Sequence, residues 1–265
     1  MIPLQFGLFW CGGSISYLRY LTFKSLRHYH PEANIELYIS KRSNNKIHNW
    51  GVEKQDFEGI IEKDYTNDIR DIGVKIIEID YFSDPNYCPI YQADLFRFWW
   101  LYHKGGFYMD TDQLVLKSLS ELSLDKDFIY SQFANKDRTR YAPTGILGCS
   151  KNNIDAQTMM GLVPQGYASN NYNSSGPFVF EYALSKNIFK TSLLNVPSSY
   201  FYPIDCSSDI YQVYQGNYVI PKESLCLHWY GGHPLSQAFN KTYNRDVAMQ
   251  GNDSISKYLR SEKII

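Results

Sequence analysis

The segment from Ile90 to Asp112 constrains the fold of this chain more than any other. From about Ile90 to His103, the residues Leu95, Phe98, Trp99 and Tyr102 form one stripe at helical spacing, and Ala93, Phe96 and Trp100 form a second. A helix that is apolar nearly all round is buried on most of its sides. Gly105 follows Lys104 where a left-handed C-cap glycine belongs. Gly106 opens the short aromatic strand Phe107-Tyr108-Met109, and Asp110-Thr111-Asp112 closes the segment. A buried helix that feeds directly into a buried strand belongs to a layered α/β fold.

The polar residues of this segment suggest chemistry. In an extended chain, residues i and i+2 point the same way. Asp110 and Asp112 can therefore both face one hard cation, with Thr111 pointing away. Asp94 and Arg97 are three residues apart and share a helix face. They read either as an ion pair within the helix or as part of a site. A buried charged pair is costly without further partners, so this pair is expected to meet something polar.

The rest of the chain supplies the frame. Leu4 to Trp10 reads as a buried strand, Gly12-Gly13 as a tight turn, and Ser14 or Ser16 as the cap of a helix that Pro31 ends. Ile35 to Ile39 is a second strand. This βαβ opening places a ligand beyond the carboxyl end of the first strand, where Trp10 stands either as a core residue or as a stacking platform. The Gly-Gly pair is not a GxGxxG fingerprint, so a dinucleotide site is not supported. Residues 40–71 are polar and irregular with helical patches. Val74 to Ile79 is a further strand and Asp84-Pro85-Asn86 a turn. Strands are expected over Phe128 to Phe133 and Gly145 to Cys149, with a loop from Asn135 to Pro143 between them. Helices are expected over Asn152 to Leu162 and from Pro177 to Lys186, separated by a loop over Gln165 to Ser175. Ser224 to Leu227 reads as a late strand that delivers His228-Trp229-Tyr230-Gly231-Gly232-His233-Pro234. The glycines there let backbone N–H groups approach an anion, and His228 can complete a metal site begun by the two aspartates.

Composition excludes several classes. With 44% apolar and 20% charged residues the chain reads as globular, and a net charge of −1 gives no electrostatic case for nucleic acid or an anionic membrane surface. Five widely spaced cysteines without a C-x-x-C pair argue against a zinc ribbon or a disulfide framework and fit a reducing compartment. No apolar run approaches the roughly 18 residues of a membrane span. The apolar N-terminus lacks a basic region and reads as a buried strand rather than a signal peptide. The 23 tyrosines fit either ordinary packing or stacking on sugar rings.

Taken in order, Ala93-x-Asp94-x-x-Arg97, then Gly105-Gly106-x-Tyr108-x-Asp110-x-Asp112, resembles the sugar-binding DXD region of retaining glycosyltransferases. The family in question contains yeast initiating mannosyltransferases, α-1,4-galactosyltransferases and the glucosylating domains of clostridial toxins. Leu8 to Gly13 resembles that family's first strand, and Ser175-Gly176-Pro177 one of its later segments. His228-x-x-Gly231-x-x-Pro234 resembles the closing motif of a related galactosyltransferase family, with His233 where that motif has a lysine.

The resemblance implies a GT-A fold: α/β, a Rossmann-like central mixed sheet flanked by helices. It implies one such domain over 1–235, with a nucleotide-binding part over about 1–125 and an acceptor part over about 126–235. A helical or flexible extension would follow over 236–265. A nucleotide sugar, most often a UDP-sugar, would donate a hexose to a glycan or glycolipid acceptor with retention, in polysaccharide or surface glycan synthesis. Asp110, Asp112 and His228 would hold Mn²⁺ or Mg²⁺, the two aspartates being the catalytic pair. Trp10, Asp94, Arg97, Gly106, Thr111 and Gly231 would bind the donor. The enzyme would work in the cytoplasm, with peripheral contact at the inner membrane face left open and no nucleic-acid partner. The alternatives are a non-catalytic carbohydrate-binding protein, or a glycoside hydrolase using Asp110 and Asp112.

Overall fold

The computed structural model describes residues 1–40, 63–80, 82, 88–134, 140–168, 171–206 and 208–265. The chain opens with β1 (Gln5–Trp10), α1 (Tyr17–Tyr29), β2 (Asn34–Ser40), α2 (Thr66–Asp71) and β3 (Lys75–Ile79). The long helix α3 (Pro89–Lys104) leads into β4 (Gly106–Met109) and β5 (Gln113–Val115), with a 3₁₀ turn at Leu119–Glu121. The middle of the chain holds β6 (Phe128–Ser131), β7 (Phe133–Ala134), β8 (Arg140–Tyr141), β9 (Ile146–Cys149), α4 (Ile154–Gly166) and α5 (Pro177–Ser185). It ends with β10 (Leu193–Val196), α6 (Ser198–Phe201), α7 (Ile210–Gln215), β11 (Cys226–His228), α8 (Pro234–Thr242), α9 (Arg245–Gln250) and α10 (Ser254–Ser261).

Seven strands form a central sheet in the order β10-β6-β9-β4-β1-β2-β3. The β3-β2-β1-β4 half is parallel, as the βαβ opening requires. Strand β9 runs antiparallel to both β4 and β6, and β10 returns parallel to β6. This is a Rossmann-like mixed sheet flanked by helices, the architecture that the resemblance implies. Two short pairs stand outside it: β5 with β11, and β7 with β8. No helix among the described residues is long and apolar enough to cross a membrane.

Apolar surface on both faces of the sheet explains the two larger cores. Alternation along β1 sends Phe6, Leu8 and Trp10 to one face and Phe9 to the other. The second face receives Phe96, Phe98, Trp100 and Leu101 of α3, each fully buried. Helix α3 approaches β1 closely because residue 7 is glycine; a Cβ there would fall inside the Trp100 indole. Local capping follows the expected chemistry: the Ser16 side chain accepts from the Arg19 N–H at the start of α1, and Pro177 takes the first turn of α5.

Three expectations change. Asp110-Thr111-Asp112 forms a turn between β4 and β5 rather than an extended segment, so the two carboxylates converge by turn geometry rather than by strand alternation. The 236–265 segment is no loose extension. Ala248, Ile255, Leu259 and Ile264 are buried with Tyr17, Leu18 and Leu21 of α1, and with Leu114 and Trp229, in a third core. The moderate polarity of that segment hid one apolar stripe per short helix. Gly106 sits at the opposite end of β4 from Asp110, with φ at +92°, and a Cβ there would collide with the Gln5 carbonyl. It therefore allows β4 to start beside β1, and the fold does not bring it to the cleft described below. The turn expected at Asp84-Pro85-Asn86 and most of the 135–143 loop lie outside the described residues.

Candidate active site

Asp110, Asp112 and His228 each offer a ligand atom, and these atoms lie within 4.8 Å of one another. Two elements achieve this. Strand β4 ends at Met109 and releases Asp110 and Asp112 into the turn. Strand β11 pairs with β5 so that His228 stands opposite Gln113, and the Trp229 N–H donates to the Asp112 carbonyl at 3.1 Å. More than a hundred residues of chain are thereby closed onto one point.

The two carboxylates sit in different environments. Asp112 is buried, with Oδ2 accepting from the Gly231 N–H at 2.7 Å and lying 3.0 Å from His228 Nε2. Burial alone would raise its pKa, but His228, Arg19 and the Gly231 N–H together hold it well below the usual carboxylate range. Asp110 is the more open, with its side chain 29% exposed. Its Oδ1 accepts from the Tyr108 hydroxyl at 2.8 Å and lies 3.5 Å from the Arg97 guanidinium. Burial pushes its carboxyl up, with Arg97 opposing.

Two carboxylates and an imidazole suit a divalent cation. Ligand oxygens at about 2.0–2.6 Å from a hard cation stand at most about 4–5 Å apart, which matches the measured spread. The same convergence is wrong for a hydrolase: the carboxylates point at one place instead of flanking a bond.

Helix α3 supplies the next layer. Arg97 lies 3.0 Å from Asp94, donates to the Thr144 hydroxyl, and passes over the Tyr108 ring at 4.9 Å. Burial pulls the guanidinium pKa down, and Asp110 and Asp94 more than reverse this. Asp94 accepts from the Ser175 hydroxyl at 2.7 Å, and a Cβ on Gly176 would collide with its carboxylate. Arg97 lines the cleft beside the two aspartates; Asp94 stands behind it and ties the Ser175-Gly176-Pro177 segment to α3.

Helix α1 holds the DXD turn from the other side. Thr22 Oγ1 donates to the Thr111 carbonyl at 2.9 Å, and Arg19 Nη1 donates to Thr111 Oγ1 at 2.7 Å. Thr111 does point away from the metal ligands, toward this arginine. Trp10 lines the cleft but is only 4% exposed: its Nε1–H donates to the Gly13 carbonyl, and the Arg19 guanidinium lies 4.4 Å from its ring centroid. Gly231 turns its N–H onto Asp112, so in this state its donor is spent on the DXD turn.

Sequence reasoning missed Arg19, Thr144 and Tyr202 as neighbours of the site, and held Tyr108 only as a position of the motif. The hydroxyl of Tyr202 accepts from the Ile146 N–H at 2.8 Å, and its ring packs on His228. Arg19 left one signal, a cation set among the core-forming Leu18 and Leu21. The others lie on elements whose proximity only the sheet order creates.

The cleft beside the two aspartates is small, about 100 Å³, and a larger one of about 670 Å³ shares part of its wall. Both have Tyr172 and His228 in their walls, and the larger is lined by Phe133, Tyr141, Tyr202 and Tyr230.

Residues 19–129 match the model of a family described as "Glycosyltransferase sugar-binding region containing DXD motif". No curated protein matches the chain. Among solved structures it is similar to the PaToxG glycosyltransferase, at 19% identity over 98% of this chain and 87% of that one, with a TM-score of 0.48. It is similar to the glycosyltransferase GlyE of Streptococcus pneumoniae TIGR4, at 15% identity over 98% of this chain and a TM-score of 0.49. The chain spans only 64% of the length of GlyE. It is also similar to the galactosyltransferase LgtC, at 14% identity over 97% of this chain and 96% of that one, with a TM-score of 0.41.

Proposed function

We propose that this chain, whose residues 19–129 match the model of a glycosyltransferase sugar-binding region with the DXD motif, is a metal-dependent retaining hexosyltransferase. Its donor in this reading is a nucleotide sugar, a UDP-sugar by resemblance, and its acceptor a hydroxyl of a glycan or glycolipid. The convergence of Asp110, Asp112 and His228 on one point in a cleft carries the reading.

The reaction breaks the bond between the sugar's anomeric carbon and a diphosphate oxygen, and charge builds on the diphosphate. When bound, a divalent cation supplies Lewis acidity to that leaving group. Two carboxylates suit Mn²⁺ or Mg²⁺, and the imidazole nitrogen favours Mn²⁺. The chain's own residues fix the geometry. Thr22 holds the turn through the Thr111 carbonyl, Gly231 and His228 orient Asp112, and Tyr108 orients Asp110. Arg97, backed by Asp94, offers donors to sugar or ribose hydroxyls from the cleft wall. Trp10, at the carboxyl end of β1, lies where the base is expected. The aromatic cleft on the far side of His228 suits the acceptor. Its hydroxyl attacks on the face the leaving group occupies, and a diphosphate oxygen takes the proton, which retains the anomeric configuration. Work in the cytoplasm, peripheral to the membrane that carries the growing glycan, belongs to the same reading.

The test is a screen of nucleoside diphosphates and nucleotide sugars by thermal shift, with and without Mn²⁺, followed by donor turnover. Stabilisation that needs both nucleotide and metal is expected, together with its loss in Asp110→Ala/Asp112→Ala. Wild-type, metal-dependent turnover by that double variant sinks the assignment.

A further inference from the structure

We propose that Arg19 binds the diphosphate of the donor, and that it is the cation which makes the metal-loaded centre attractive to an anion. This rests on the reading of the cleft as a nucleotide-sugar site. Arg19 is buried in α1, yet it is among the residues that line the cleft, with Thr111, Asp112 and His228. Three of its contacts, and its place beside Gly231, bear on the site. Nη1 donates to Thr111 Oγ1 at 2.7 Å, between the two aspartates in sequence. The guanidinium carbon lies 4.4 Å from the Trp10 ring centroid and 5.3 Å from that of Trp229. Nη2 lies 2.9 Å from where a Cβ on Gly231 would stand, beside the glycine that donates to Asp112. A planar guanidinium held between indoles keeps its donor fork in one orientation, which is the geometry that recognises phosphate oxygens.

Charge gives the reason such a group is needed. Asp94, Asp110 and Asp112 face Arg97 and Arg19, so with a neutral His228 the centre is net negative and repels a diphosphate. Arg97 is engaged by Asp94 and Asp110. Counting the described residues, a divalent cation makes the centre net positive with Arg19 and only neutral without it. His233 cannot substitute, because it caps α8 with its Nδ1 accepting from the Leu235 N–H.

Mn²⁺ with inorganic pyrophosphate probes this without knowledge of the base or the sugar. Titration calorimetry is expected to show that pyrophosphate binds the Mn²⁺-loaded wild type and fails to bind without Mn²⁺. Arg19→Gln and Arg19→Lys are expected to keep the Mn²⁺ affinity, read by electron paramagnetic resonance. Both should weaken pyrophosphate about tenfold or more, as loss of a charge-assisted hydrogen bond does, with the loss smaller for lysine, which keeps the charge. Unchanged pyrophosphate affinity in either folded variant overturns the proposal. So does loss of Mn²⁺ in parallel with pyrophosphate, which would make Arg19 a strut of the DXD turn. If the wild type binds neither Mn²⁺ nor pyrophosphate, the nucleotide-sugar reading of the cleft itself fails.

Discussion

At the scale of single residues, the same burial that assembles the site also tunes it. Asp94 and Asp112 are both buried carboxylates, yet their pKa values move in opposite directions. Asp112 meets an imidazole, a guanidinium and a backbone N–H, and its charged form wins. For Asp94, burial outweighs Arg97 and the Ser175 hydroxyl and pushes the carboxyl up to about 6. Its folded pKa thus exceeds the usual 3.8, so the folded chain takes up this proton before the unfolded chain does. Ionising Asp94 therefore costs stability: its contribution is fullest below 3.8 and is lost as pH rises through about 6. Function runs the other way, because only the carboxylate holds Arg97 and accepts from Ser175. Donor affinity is expected to fall below pH 6 while the Asp94 contribution to stability grows. Calorimetry with a Mn²⁺–nucleoside diphosphate at pH 5 and 7, on wild type and Asp94→Asn, checks this. Identical pH profiles for the two proteins would remove Asp94 from the account.

At the scale of elements, helix α3 and strand β4 form the unit that carries the site, and its precision depends on how closely α3 lies on β1. Gly7 and Trp100 set that distance. Gly7→Ala is expected to destabilise the fold by about 1–3 kcal/mol through overpacking, measured by denaturant unfolding, and to weaken metal binding as α3 and its Arg97 shift. An alanine accepted without loss would mean that the helix is not held by this contact. This unit was also the most legible in the sequence. The stripes of Leu95, Phe98, Trp99 and Tyr102 gave helix limits within a residue of Pro89–Lys104. Short strands such as β5 and β7 carry too few residues for a period to show, and β7 and β8 were hidden for that reason.

At the scale of the whole molecule, the last helices share a core with the helix that braces the candidate site. Leu259 of α10 is fully buried, in the same core as Leu18 and Leu21 of α1. Helix α1 in turn holds the DXD turn through the Thr22 hydroxyl, which donates to the Thr111 carbonyl. Leu259→Ala is expected to cost about 2–5 kcal/mol as a buried large-to-small change, seen as a lowered Tm, with Mn²⁺ affinity reduced as α1 loosens. If stability falls and metal affinity does not, α10 is a brace for the fold alone. The Tyr29 hydroxyl meeting that of Tyr258 at 2.7 Å, and Tyr258 donating to the Leu116 carbonyl, show how this end of the chain is stitched to α1 and to the residue after β5.

The sequence by itself determined what is local or periodic: the βαβ opening, the buried helix, the glycine stop, and the order of Asp94, Arg97, Asp110 and Asp112. Spacing along a helix or a turn is dictated by backbone geometry, so a short window contains all of it. The tertiary structure decided what depends on pairing between distant strands. The β5–β11 register alone sets His228 against Asp112, and the packing of α1 alone brings Arg19 to Thr111. It also placed Asp94 behind Arg97 rather than in the cleft wall, and moved Gly106 to the far end of β4. Contacts of that kind arise from burying several apolar faces at once, which no stretch of sequence encodes alone.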